Sequence, residues 1–402
     1  METITCATLS DASIRKRLND LVGHIGANGE VRQNPYFDAG NVTAIALAQK
    51  LAKSRSFVER IARPVKIGVV FAMWGECQRL RAPSIDNPTG EDSLNVKVDA
   101  LEWLFKDTFV EWHLYAVDDG CPDGSGDIAK TIQKASIKSK NITILKLGDA
   151  IPGDTIPLSL IRTVDDSVKG GAITYGCIKA IQDGCDYIAY TDSDNSVHLG
   201  QLGLLLESVI PSGKQAALGS RHLPSSLVMR HPGRNAGSVK ILRHIVKLLG
   251  ARVIPVTDVT SPFKIFTAPY LSSLIKKQTI FDLSFDYELV LSVYEDNIDP
   301  DIVGYVFIDS FEHSAWHSFG NSAIWYSYFK GYLRALETHK APYNETVARI
   351  IRDLIRAPDD VSKIQGATFP DSFYSAPDSS IGEDEMLSAG RLHEILRDTF
   401  EV

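Results

Sequence analysis

The stretch DYIAYTDSD, residues 186–194, runs an apolar segment straight into two carboxylates. A short apolar run bounded by turn residues reads as a buried strand. Asp192 and Asp194 then stand two residues apart at its carboxyl end, where both can face one cation. A hard ion such as Mg2+ or Mn2+ takes oxygen ligands and commonly keeps substrate phosphate among them. Alone, an Asp-x-Asp triplet also fits two solvated aspartates in a turn, so its neighbours decide.

Upstream the same pattern repeats. KIGVVFAM (66–73), HLYAVDD (113–119) and ITILKL (142–147) read as strands, with helical periodicity over 96–105, 127–135 and 170–183 between them. Alternation of this kind predicts an α/β fold with a mainly parallel, Rossmann-like sheet flanked by helices on both faces. Ligands of such sheets bind beyond the carboxyl ends of the strands. The polar clusters after Met73, Val117 and Tyr190 fall there. Downstream, 216–221 reads as a short strand and 234–250 as an amphipathic helix with a basic face. Residues 258–266 read as turn then strand, 281–296 as a loop entering a helix, and 302–311 as one strand. Helical patterns flank this core over residues 10–62 and again beyond 321, where 358–384 reads as loop. The expected division is a helical N-terminal extension (1–63), a catalytic domain (64–320) and a helical C-terminal extension (321–402).

Bulk composition narrows the classes. The 402 residues carry 42 basic and 50 acidic side chains, net −8, which gives no support to a nucleic-acid binder. The five cysteines lack the paired spacing of a zinc site and the density of a disulfide framework, so they read as free thiols in a reducing, cytoplasmic setting. The first residues lack the apolar core of a secretory signal, and no apolar run approaches the 18 residues of a membrane span.

Two further motifs carry chemistry. In AVDDGCPDGSGD (116–127) a strand ends at Asp118 and Asp119. These carboxylates suit the N–H groups of a nucleobase or ribose hydroxyls, or they cap the helix that follows. In SVKGGAITYGCIKA (167–180), Lys169 and two glycines precede a helix whose N-terminus suits an anion.

VDDGCPDGS, KGGA, DYIAYTDSD, GSR, DVTSPFKIF and SFDYEL stand in the order found in family 2 inverting glycosyltransferases. The chain resembles that family over roughly residues 65–320, and in motif order it is most like the dolichyl-phosphate glucosyl- and mannosyltransferase branch. The resemblance implies a GT-A fold, a UDP- or GDP-linked sugar donor, a divalent metal (Mg2+ or Mn2+) and inversion at the anomeric carbon. It places Glu76 near the base and ribose, Asp118 and Asp119 at the nucleobase, Lys169 beside the nucleotide, and Asp192 and Asp194 on the metal. Arg221, Asp258 and Lys264 match acceptor-side strands, with Arg221 counted among the cofactor-binding residues. Asp286 and Glu288 match acids of a helix that closes the site. Two apart on a helix they face different ways, and Asp286 is the preferred general base. His313, in EHSAWHSFG (312–320), is a candidate third metal ligand; His198 and His222 rank below it.

The chain departs from the family in four places. Trp74-Gly75-Glu76 replaces the usual turn after the first strand, RAPSIDNPTGED (81–92) is inserted, Ser261-Pro262-Phe263 replaces small-Gly-Phe, and membrane helices are missing. These differences favour a soluble acceptor bearing a hydroxyl, phosphate or carboxylate over a lipid phosphate. The basic stretch from Arg230 to Lys247 could meet an anionic acceptor, or be a solvated helix face. The aromatic group Trp325, Tyr326, Tyr328, Phe329 and Tyr332 reads as core packing, and the helical ends could enclose an acceptor or make a homodimer. The rival readings are a polyprenyl-phosphate glycosyltransferase at a membrane surface, a sugar nucleotidyltransferase (which would carry a Gly-rich loop where AMWGECQRL stands) and a non-catalytic sugar binder.

Overall fold

A computed structural model describes residues 3–400, apart from 27–28, 32–35, 38–40, 231–235, 251, 257 and 311–320. Its contacts divide the chain into two units. The first holds Met1–His231, Ser261–Thr279 and Ile298–His313; the second holds Pro232–Thr260, Ile280–Asn297 and Ser314–Val402. The N-terminal helices thus group with the sheet, and the segments 232–260 and 280–297 group with the C-terminal region.

The first unit is built on a seven-stranded sheet in the order β3-β2-β1-β4-β7-β5-β8. The strands are β1 (Val65–Met73), β2 (Val110–Asp118), β3 (Ile142–Lys146), β4 (Tyr187–Thr191), β5 (Ala216–Ser220), β7 (Lys264–Thr267) and β8 (Asp301–Gly304). Every residue of β4 is buried, and so are seven of the nine in β1. Continuous apolar runs of this sort are what a strand covered on both faces requires. β7 runs antiparallel to both of its neighbours; the other pairings are parallel. Helices α3 (Ser93–Phe105), α4 (Ser125–Ala135) and α5 (Gly170–Gln182) connect the first four strands. The chain leaves β1 for β2 on one side and returns to β4 on the other, so a topological switch point lies between β1 and β4. Helix α5 lies hard against β1: a Cβ on Gly176 would stand 2.4 Å from Val70 Cγ1. Only a glycine in that turn lets the helix approach so closely.

Helices α1 (Ala12–Val22) and α2 (Val42–Val58) are part of this unit. Ser54 of α2 donates to Gly200 O at 2.5 Å and accepts from Gly203 N at 2.9 Å, fastening α2 to α6 (Leu202–Val209). The stretch 302–311, which reads as one strand, is two. β8 pairs with β5, the chain breaks at the buried Tyr305, and β9 (Val306–Ile308) pairs with β6 (Leu227–Met229) in a separate two-stranded sheet. Ser261 Oγ and the Tyr305 hydroxyl lie 2.9 Å apart at the break. β9 also braces the chain after β4: Ile308 N donates to Ser196 O at 2.9 Å, and the Gln201 side chain exchanges two hydrogen bonds with Val306.

The second unit contains α7 (Ala236–Gly250), α9 (Phe285–Glu295) and the helix Asn321–Thr338; α8 (Ala268–Leu274) belongs to the first. Of the aromatic group, Trp325, Phe329 and Tyr332 pack as core, Tyr332 stacking on Tyr287 with centroids 4.1 Å apart, while Tyr326 and Tyr328 are partly exposed. The basic groups of α7 are spent inside the unit. Lys240 donates to Tyr374 O and Ala376 O, Arg243 pairs with Asp378 at 2.9 Å, and Lys247 reaches the carbonyls of Ile254, Pro255 and Val256. These three are internal fasteners, not an anion-binding face; Arg234 lies outside the described residues. The segment 358–384 is not all loop either. It forms helices Pro358–Gly366 and Asp371–Ser375, the first capped by Asp360, whose Oδ2 accepts from Arg356 N and Ala357 N at 2.9 Å each.

Candidate functional site

The strand ends set the geometry. In-register pairing places Met73 beside Asp118, and Asp119 N donates to Met73 O at 3.0 Å, so β1 and β2 end level. β4 ends with Thr191 beside Phe71. The acids that follow these strands therefore emerge along one edge, on either side of the switch point.

Asp118 and Asp119 have different tasks. Asp118 Oδ1 accepts from Cys121 N at 2.8 Å and Oδ2 from Gly126 N at 3.1 Å. It folds the loop 118–126 and caps α4, which is the capping alternative open at the sequence level. A Cβ on Gly126 would lie 2.2 Å from that carboxylate. Asp119, also buried, accepts from Ser167 Oγ at 2.6 Å and from Lys169 N at 2.5 Å. Burial pushes its carboxyl up to about 6 against the pull of these two donors.

Lys169 links the two motifs. Its backbone adopts φ +73°, which turns the chain into α5, and its ammonium pairs with Asp192 Oδ1. Burial acts to raise the Asp192 carboxyl, but Lys169, then Arg221 and Arg79, outweigh it and hold the group below the ordinary carboxylate range. Asp194 Oδ1 accepts from Ser196 N at 3.0 Å, a local turn that orients its carboxylate. Ser167, Asp119, Lys169 and Asp192 are thus joined in sequence from the end of β2 to the end of β4.

Beneath the two aspartates lies a buried charged layer of which sequence reasoning singled out Glu76 and missed Arg79, Glu91 and Lys97. Lys97 on α3 is 2% exposed, and its ammonium donates to Ser193 O at 2.9 Å and to Asp194 O. Burial lowers its pKa, while Asp194, Glu91 and Asp192 pull it back up. Arg79 Nη1 forks onto Glu76 Oε1 and Oε2 at 3.0 and 2.9 Å, and its Nε lies 3.7 Å from Glu91 Oε1. Glu91, inside the insertion, accepts from Asn195 N at 2.7 Å and from Ser310 Oγ. Burial, then the Asp194 charge, push its carboxyl up to about 7. Glu76 is raised by burial as well, against the opposing pull of Arg79. A lysine on an apolar helix and charges in an insertion resemble solvated surface in a sequence. The one available signal was Lys97 among the otherwise apolar positions Leu94, Val98 and Leu101.

Not every expected site residue gathers here. Arg221, just past β5, lies over the Phe307 ring at 5.2 Å and acts electrostatically on Asp192. Lys264 is fully buried, with its ammonium on Ser261 O and 5.3 Å from the Tyr190 ring centroid, so it serves the sheet interior. His198 is buried, accepts from Gly200 N at 3.1 Å, and is pushed down to about 4 by burial. Asp258, Asp286 and Glu288 belong to the second unit, all three buried. Glu288 accepts from Ile280 N at 2.8 Å and from His339 Nε2 at 3.1 Å, while His339 Nδ1 reaches Glu295 Oε2 at 2.7 Å. His313 lies outside the described residues.

The strand-end oxygens fit a hard divalent ion. Asp192 and Asp194 are both partly exposed, and a side-chain cation, the Lys169 ammonium, already sits on Asp192. Thr191 Oγ1, buried at the same strand end, has no hydrogen-bond partner among the described residues. Among those residues no set of three His, Cys, Asp or Glu converges; the two carboxylates are the protein oxygens that would hold the ion, and a hard divalent cation commonly keeps substrate phosphate and water among its ligands.

No family model matches the chain. It is similar to the crystal structure of mannosyl-3-phosphoglycerate synthase from Rubrobacter xylanophilus, at 11% identity over 73% of this chain and 79% of that one, TM-score 0.45. It is also similar to glucosyl-3-phosphoglycerate synthase from Mycobacterium tuberculosis in complex with Mn2+, uridine-diphosphate and glucosyl-3-phosphoglycerate. That match has 14% identity over 76% of this chain and 87% of that one, TM-score 0.44. The same synthase in complex with Mg2+ and uridine-diphosphate matches at 14% identity over 73% and 84%, TM-score 0.45. All five cysteines of the present chain are free, and among the described residues no helix is long and apolar enough to cross a membrane.

Proposed function

We propose that this chain is a metal-dependent inverting glycosyltransferase that takes its sugar from a nucleoside-diphosphate donor. The observation that carries the proposal is the Asp119–Lys169–Asp192 connection at the carboxyl ends of β2 and β4, beside the switch point of the sheet. A donor diphosphate needs positive charge where its leaving oxygen develops negative charge. A divalent ion held by Asp192 and Asp194 would supply that charge. Lys169 would add a second positive group beside the phosphates. Glu76 and Asp119 line the nucleoside end, and Asp118 shapes the loop between them. Arg221 keeps the expected role on the acceptor side of the donor. Asp286 is the base we assign to an acceptor hydroxyl, the role the family resemblance implies for it.

The acceptor in this reading is a small soluble hydroxyl compound carrying a phosphate or carboxylate. Calorimetry with UDP and GDP, each with and without Mn2+, tests the donor site beside Asp192→Ala and Asp194→Ala. The expected outcome is metal-dependent binding of one nucleotide, weakened at least about tenfold in either variant, a loss of about 1.4 kcal/mol. Folded protein that binds neither nucleotide in the presence of metal sinks the proposal. Pyrophosphate release from a nucleoside triphosphate and sugar 1-phosphate would favour the nucleotidyltransferase instead. Transfer only to a polyprenyl phosphate in detergent would replace the soluble acceptor with a lipid.

A further inference from the structure

The five cysteines fall into two groups. Cys6, Cys177 and Cys185 are at most 4% exposed. Cys77 and Cys121 are not buried, and both lie on the loops that leave β1 and β2 at the candidate site. Their thiols converge on one hydroxyl: Cys121 Sγ lies 3.1 Å and Cys77 Sγ 3.7 Å from Ser125 Oγ. The two sulfurs can therefore be no farther apart than the sum of those distances. Cys77 Sγ also donates to Asp123 O at 2.8 Å, and Gly75 N donates to Cys121 Sγ at 3.2 Å, so each thiol already touches the other's loop. Gly75, Gly120 and Gly124 flank the pair at φ +68°, +76° and +77°, the left-handed region that favours glycine.

We propose that Cys77 and Cys121 form a reversible disulfide that regulates the donor site. A disulfide needs sulfurs about 2 Å apart, so rotation about the Cα–Cβ bonds together with a small loop movement must close the gap. The oxidant is a low-molecular-weight disulfide such as oxidised glutathione. One cysteine thiolate attacks it, forming a mixed disulfide and releasing one glutathione thiolate. The second cysteine thiolate attacks the protein sulfur of that mixed disulfide and releases the other. Two protein S–H bonds are lost, one S–S bond forms, and the oxidant leaves as two reduced thiols carrying the two protons.

The consequence for function rests on the donor-site reading above. Glu76 adjoins Cys77, and Asp118 and Asp119 lie just before Cys121. The bond would remove the Gly75 N–H to Cys121 Sγ contact and tie the two loops to each other across Ser125, whose Oγ accepts from Glu76 N at 2.9 Å. That ties the nucleoside end of the site in one arrangement. A reducing environment restores the open thiols.

The test uses the full chain, reduced and then equilibrated in glutathione buffers of rising oxidised fraction, quenched in acid and mapped without reduction. The expected result is loss of two hydrogens from the intact mass and a cross-linked peptide joining Cys77 to Cys121. Cys77→Ser and Cys121→Ser should each show no internal bond and carry one glutathione on the remaining thiol. Separate glutathione adducts on both cysteines of the folded wild type, with no cross-link, overturn the proposal. Calorimetry with nucleotide and Mn2+ reads the consequence. Binding should weaken at least about tenfold on oxidation, recover with dithiothreitol, and stay insensitive to oxidant in the double variant Cys77→Ser/Cys121→Ser, which has neither thiol to modify. A cross-link that leaves nucleotide affinity unchanged refutes the regulation. A cross-link in a protein that binds no nucleotide even when reduced refutes the donor site and leaves the disulfide standing. A reduced protein that binds nucleotide but never cross-links does the reverse.

Discussion

Replacing Glu91 with glutamine isolates the electrostatic cost of the buried layer under the two aspartates. The Glu91 carboxyl is 3% exposed, and burial together with Asp194 raises it from the ordinary 4.5 to about 7. The unfolded chain releases that proton near 4.5, whereas the native chain keeps it until near 7. Between those values the native state binds more protons than the unfolded state, so stability is full below about 4.5 and falls as pH rises to about 7. At about 1.4 kcal/mol per pKa unit, the loss across the window is about 3 kcal/mol. Glutamine keeps an acceptor for Asn195 N, and its amide can donate to the Ser310 hydroxyl, but it does not ionise. Urea unfolding in EDTA, followed by tryptophan fluorescence at several pH values, measures the difference. Glu91→Gln should match the wild type within about 1 kcal/mol at pH 4.5 and exceed it by about 3 kcal/mol at pH 7.5. Parallel stability curves for the two proteins across that range would refute the reasoning.

Lys97→Met should do the opposite. It removes a buried cation from two carbonyls and from the field of Glu91, Asp192 and Asp194, and breaking such a buried pair costs about 3–5 kcal/mol. At about 2.1 cal/mol/K of unfolding entropy per residue, calorimetric melting of the 402-residue chain should then fall by roughly 4–6 °C, and an unchanged melting temperature would show that the ammonium is not needed. His339, held between Glu288 and Glu295, is raised mainly by its hydrogen bond to Glu288. Its stabilisation is full below the ordinary 6.5 and lost as pH rises through the raised value. His339→Gln should therefore destabilise most in mild acid and least at alkaline pH, and an offset independent of pH in thermal unfolding counts against the ion pairs.

Much of the sheet was legible because its signal is local. β1, β2, β3 and β4 are apolar runs of strand length separated by helical periods, and their order alone implied a parallel sheet with its polar clusters at one edge. What failed was information carried by distant partners. Lys97 and the Asp194 carbonyl are separated by 97 positions, and nothing near Lys97 announces that its charge is buried. The basic groups of α7 suggested an anion, whereas their long stems carry the charges to backbone carbonyls of the same unit. Tyr305 sits in an apolar run interrupted by Gly304 alone, and that glycine was the only local mark of the division between β8 and β9. The helix Pro358–Gly366 did leave one, Pro358 at its start with Asp360 two residues on, but the surrounding density of Pro, Asp and Ser outweighed it.

The break at Tyr305 also limits what length changes this part of the chain can tolerate. On one side of it the residues keep step with β5; on the other they keep step with β6 and hold the segment that begins two residues after Asp194. A residue added or removed at 305 cannot be absorbed by sliding, because a one-residue slip turns every side chain of a strand to its opposite face. Either the edge of the large sheet or the footing of the Asp192–Asp194 turn would go out of phase. A single tyrosine thus sets the spacing between the scaffold and the loop it supports.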